Sequence, residues 1–182
     1  MRERDPARRR ELAHRQAGLL LEGLHRAADA VAALREFADP TRDGRLEHLF
    51  ARALDASGAR DELEGWLEMR EDHVSGPELA DLRLRLAALK EQAGRANDAI
   101  ACLQRALRDA PPGSAEVVRA GLLGLLRAHG SSEQQRVFVD ELIEATPDPA
   151  VRSALLIERA RLFAEKLAEP ARALADLERA QT

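Results

Sequence analysis

The 182-residue sequence predicts an all-α fold of repeated helix pairs, on three observations. Alanine and leucine number 35 and 29, so about 35% of the chain consists of two strong helix formers. Valine, isoleucine and threonine together make about 7%, and tyrosine is absent, which excludes a sizeable β-sheet. Gly58, Gly94 and Gly130 stand 36 residues apart, each after one helical apolar pattern and before another. A hydrophobic content of 45% beside 33% charged residues belongs to a chain that folds.

Start and stop signals divide the chain into ten helices, near 8–22, 25–38, 44–57, 60–72, 77–93, 96–109, 114–129, 132–145, 149–167 and 170–181. Asp5-Pro6 offers a cap acceptor followed by a first-turn proline. The first pair carries Gln16-Ala17-x2-Leu20, then Ala30-x3-Leu34, and closes at Pro40. The second carries Phe50-Ala51-x2-Leu54, then Leu63, Trp66 and Leu67 at core spacing. Ser75-x-x-Glu78 reads as a capping box for the fifth helix. The third pair reads Arg83-x2-Leu86-Ala87-x2-Lys90, then Ala99-x3-Leu103 and Ala106, and stops at Pro111. Its alanines allow the two helices to cross closely.

The fourth pair has Leu122-Leu123-x2-Leu126, a second capping box at Ser132-x-x-Gln135, and Val137 with Val139 on the following apolar face. There Gln135 replaces the small crossing residue. The Leu122–Leu126 stretch is apolar on more than one face, as a helix buried between neighbouring pairs requires. The fifth pair has Arg159-Ala160-x2-Phe163, then Ala173-x3-Leu177 and Ala180. The breakers Pro40-Thr-Arg-Asp-Gly44, Pro111-Pro-Gly-Ser114 and Pro147-Asp-Pro149 fall between pairs.

The third pair resembles the tetratricopeptide repeat (TPR), a helix-turn-helix of about 34 residues with the pattern W-x2-L-G-x2-Y…A-x3-F…P, although Arg83 and Lys90 stand where the pattern has aromatics. The likeness extends over about residues 8 to 181, as one domain, 1–182, with repeats near 8–40, 44–75, 77–111, 114–147 and 149–182. It implies a right-handed α-solenoid of antiparallel helix pairs whose first helices line a concave groove. It further implies a protein–protein interaction scaffold that holds a peptide or helix of another protein. The groove side of the first helices then gives His14, Arg15, His48, Arg52, Arg85, Glu158 and Arg161 as partner-binding candidates, with Ile157 beside the last two. The recurring arginines make an acidic or mixed segment the expected occupant. The family's carboxylate clamp needs groove asparagines, and the sole asparagine, Asn97, is expected in a turn.

Other function classes find little support. The net charge is −4, and 26 arginines and 2 lysines are scattered among 32 acids, so no nucleic-acid stripe forms. The one basic excess lies within Met1 to Arg10. Cys102, the sole cysteine, excludes an internal disulfide and a cysteine zinc cluster, and reads as a small buried hydrophobe. The five histidines are spread over different helices and turns, and no phosphate loop or nucleophile elbow is present, so no metal, cofactor or catalytic role is expected. No apolar run approaches the roughly 20 residues of a membrane span, and no signal peptide is evident. The expectation is a cytoplasmic protein, and the Ala- and Arg-rich composition suits a GC-rich bacterial genome. The alternative is assembly through the solenoid ends, by self-stacking or within a longer repeat protein, because Ala180-Gln181-Thr182 closes the sequence inside a helix with no polar cap after it.

Overall fold

The computed structural model describes residues 5–42 and 44–181. Arg2 and Arg4 of the basic start, Asp43 of the first inter-pair loop, and Thr182 lie outside the described residues. Within them the chain forms ten α-helices and no strand: α1 Pro6–Gly18, α2 Ala27–Leu34, α3 Arg45–Ser57, α4 Arg60–Glu71, α5 Gly76–Gln92, α6 Ala96–Asp109, α7 Pro112–His129, α8 Ser132–Ala145, α9 Pro149–Glu165 and α10 Pro170–Arg179.

Local chemistry sets most boundaries. Asp5 caps α1 by accepting from the Ala7 amide at 3.0 Å, and Asp148 caps α9 by accepting from Ala150 at 2.8 Å, each ahead of a first-turn proline. The capping box of α8 is built one residue earlier than the sequence suggests, from Ser131 and Gln134. That shift also moves the buried face: Phe138 and Val139 enter the core, while Val137 is 42% exposed. The box expected at Ser75 does not form, because Glu78 is drawn to Arg70 at 2.9 Å instead. The second helix stops short at Leu34, whose carbonyl accepts from the amides of Phe37 and Ala38 in a tightened last turn. Asn97 falls in the first turn of α6 and not in a loop.

Gly58 and Gly94 end α3 and α5 in left-handed backbone, at φ 73 and 74. Gly130 does not follow them; at φ −75 it is needed for close approach, since a Cβ there would lie 2.8 Å from the Leu126 carbonyl oxygen. In the first and last pairs the left-handed link falls on His25 and Ala168. Ahead of His25, α1 widens into a π-helical turn, Leu19–Gly23.

Each helix packs on the next along the chain, and the first helices α1 with α3 and α5 with α7 also touch. One apolar core runs from Ala17 to Leu156, with Leu34, Leu54, Leu63, Leu86, Leu103 and Leu122 fully buried. Each such leucine contributes about 1.5–3 kcal/mol of transfer free energy. Trp66 meets Phe50 edge-on at 4.9 Å inside this core. A separate small cluster, Ala160, Phe163 and Ala173, joins α9 to α10.

At the two places in the third pair where the repeat pattern has aromatics, this chain sets largely buried cations in ion pairs. Arg83 bridges Glu71 of α4 at 2.7 Å and Asp109 of α6 at 2.6 Å. Lys90 binds Glu64 and Glu68 of α4 at 2.8 and 2.6 Å, and Arg95 also holds Glu64. Arg159 of α9 likewise joins Asp140 of α8 and Asp176 of α10, each at 2.6 Å. Arg83 and Arg159 therefore each tie the second helix before them to the second helix after them, whereas Lys90 reaches only the second helix before it.

Candidate functional site

The first helices of successive pairs stand side by side, close enough for long side chains to reach across. Arg52 of α3 donates to Glu22 in the π-helical turn at 2.9 Å, and Arg85 of α5 donates to Asp55 of α3 at 2.8 Å. His129 of α7 meets Glu91 of α5 at 2.8 Å. Arg127 of α7 grips both oxygens of Glu158 of α9 at 2.7 and 2.5 Å. Every consecutive pair of first helices is linked in this way. Such half-exposed pairs contribute roughly 0.2–1 kcal/mol each, so the ladder sets alignment more than stability. Glu158 favours the charged form of Arg127, whose pKa is raised by that hydrogen bond.

The candidate residues therefore occupy different settings. Arg52, Arg85 and Glu158 are members of the ladder. Arg15 is exposed and pairs with Glu11 one turn away at 2.9 Å. His48 is exposed on α3. His14 lines a hollow of about 420 Å3 between α1 and the start of α3, with Arg10, Glu11 and Arg45. Glu158 and Arg161 come together with Ile157 in a hollow of about 530 Å3 between α7, α8 and α9, and Arg161 has no acidic partner among the described residues. The structure thus gathers two of the seven candidates into one pocket and spreads the other five along the face.

Sequence reasoning missed Arg127 and Gln135, which line that same hollow. A usable signal was present: Arg52–Glu22, Arg85–Asp55 and Arg127–Glu158 are opposite charges separated by 30, 30 and 31 residues, a little less than one repeat. It also missed a hollow of about 610 Å3 between the second helices α6 and α8, floored by Leu107, Leu122, Leu126, Val137 and Phe138. Cys102 is buried, its Sγ faces the Arg83 carbonyl at 3.5 Å, and burial pushes its thiol pKa up, so it is poorly set for thiolate chemistry. No group of three His, Cys, Asp or Glu side chains suited to a metal occurs among the described residues, and no helix there is long and apolar enough to cross a membrane.

No family model matches the sequence, and no curated relative does. Solved structures do match. A chain from Podosopora anserina, described as a kinesin light chain with nearly identical TPR-like repeats, aligns with a TM-score of 0.60 at 20% identity, over 98% of this chain and 96% of that one. YrrB, described as a TPR protein with an unusual peptide-binding site, aligns with a TM-score of 0.55 at 17% identity, over 92% of this chain and 82% of its own. MamA MSR-1 aligns with a TM-score of 0.54 at 18% identity, over 94% and 95%. Stacked helix pairs, a common face of first helices and these matches over nearly the full length give one conclusion: the chain has the fold of the tetratricopeptide-repeat proteins.

Proposed function

We propose that this chain is a protein-interaction scaffold that holds a peptide or helix of another protein along the face of α1, α3, α5, α7 and α9. The observation that carries the reading is the ladder across that face. It aligns the first helices into one extended surface, and its pairs are weak enough for a ligand carboxylate to exchange into them. Extended solenoid faces suit extended segments. Among the similar folds, YrrB is described as having a peptide-binding site. The reading needs no catalytic group.

The test is capture of partner proteins from the source lysate by the native chain and by a variant with Arg15, Arg52, Arg85 and Arg161 reversed to Glu. Because reversal sets Glu beside Glu11, Glu22 and Asp55, a four-Gln variant accompanies it as the milder change. Loss of one heterologous partner in both variants, with helical circular dichroism retained, is the expected result. Unchanged capture sinks the groove.

A second reading, self-association through the outer helices, is favoured by Leu12 and Leu19 of the first helix and its π-helical turn, 51% and 70% exposed, and by Leu174 and Leu177 of α10, 59% and 41% exposed. A light-scattering mass that stays monomeric across concentration counts against it.

A further inference from the structure

One pocket on the first-helix face is left chemically incomplete by the chain itself. It is the hollow of about 530 Å3 between α7, α8 and α9, lined in part by Arg127, Gln135, Ile157, Glu158, Arg161 and Lys166. Gln135 takes the crossing position at which the other pairs carry alanine or, once, leucine, and it is 5% exposed. Its Nε2 donates to Glu158 Oε1 at 3.5 Å, an orientation dictated by a carboxylate that can only accept. Gln135 Oε1 is enclosed with no donor among the described residues, beneath the surface of the hollow.

The charges around it are unequally committed. Arg127 and Glu158 satisfy each other through two hydrogen bonds. Arg161 and Lys166 have no acidic partner among the described residues, while Glu165 lies on the same wall, so the uncommitted charge is cationic by one. Ile157, 38% exposed, stands beside Ala154 and Leu162 as an apolar wall. A basic segment would meet Arg161 and Lys166 while Glu158 is already occupied.

We propose that this pocket receives an acidic–aliphatic segment of a partner chain. A side-chain carboxylate sits on Arg161 and Lys166, and an aliphatic side chain lies against Ile157. This rests on the first-helix face being a peptide surface, and it narrows that surface to one pocket and one ligand class. Glu158 is then a positioning residue that orients the Gln135 amide and does not touch the segment.

The experiment presents an array of random 15-residue peptides to the full chain, then measures the retained peptides in solution by fluorescence anisotropy. Wild type, Arg161→Glu, Ile157→Ser and Arg105→Glu, an exposed position on the second helix α6 away from this face, are compared, with thermal melts of each. The expected result is enrichment of Asp and Glu beside Leu, Ile or Val among retained peptides. Weakening should be about tenfold for Arg161→Glu and severalfold for Ile157→Ser, with less than about twofold for Arg105→Glu. If peptides are retained without acidic enrichment, or if neither pocket variant weakens them, the pocket assignment falls and the peptide-binding face survives. If wild type retains no peptide, both readings fall together.

Discussion

Ala168 and His25 hold left-handed backbone, at φ 55 and 54, that L side chains rarely adopt, in the link where the second and third pairs use glycine. The strain is roughly 1–2 kcal/mol per residue, and glycine's added freedom in the unfolded chain offsets about 0.5–1 kcal/mol of any relief. Ala168→Gly should therefore raise stability by about 0.5–1 kcal/mol, or a melting shift of about 2 °C for a chain of this size. Calorimetry checks this, and a drop in melting temperature would mean that the Ala168 methyl contributes packing that outweighs its strain. At the same scale the sequence misplaced a capping box by one residue. Ser131 and Ser132 are chemically equal candidates, and only the extended backbone of Ser131, at φ −68 and ψ 155, makes it the cap.

Between elements, the buried cluster on α4, α5 and the start of α6 carries the sharpest energetic expectation. Lys90→Met leaves Glu64 with Arg95 as its remaining cation and should cost about 1–3 kcal/mol in urea unfolding. Adding Glu64→Met should recover most of that loss, because an apolar replacement of a buried pair is often neutral. If the double variant is no better than the single, Lys90 acts through packing of its stem. Hydrogen bonds from Arg95 and then Lys90 hold the Glu64 pKa below its ordinary 4.5, against the opposing pull of burial. In the unfolded chain Glu64 takes up a proton first as pH falls. Its contribution to stability is therefore complete above about pH 4.5 and is lost as pH drops through the lower folded value. Asp109, held down by Arg83, follows the same sign. A stability profile from pH 7 to 3 should fall below about 4.5, and less steeply in Glu64→Gln. An unchanged acid limb in that variant overturns the assignment.

In the whole molecule each pair leans only on its neighbours, so stability is distributed along the chain. The cluster of Ala160, Phe163 and Ala173 is separate from the long core, which reaches α9 only at Leu155 and Leu156, so the end of α9 and α10 are expected to loosen first. Phe163→Ala, a loss of about 3 kcal/mol or more in a packed site, should raise amide exchange in α9 and α10 and leave α3 to α6 unchanged. A uniform rise across all helices would instead mark one cooperative unit. The proposed peptide pocket, between α7, α8 and α9, lies next to this small cluster, with Arg161 and Leu162 on its wall.

Composition and spacing by themselves determined the helical class, the ten elements and the pairing, because these follow from local propensity, breakers and apolar periodicity that neighbouring residues carry. The likeness of the third pair to a known repeat was legible in its small and apolar positions, and the missing aromatics at Arg83 and Lys90 were equally visible. Only the tertiary structure decided what replaces those aromatics, since Glu64, Glu71 and Asp109 reach these cations across 26, 12 and 26 residues of intervening chain. It likewise decided that Arg52 and Arg85 answer acids of the preceding pair while Arg161 answers none among the described residues. Which charge meets which is set by the distance and angle between stacked helices, a quantity that no short window of sequence contains.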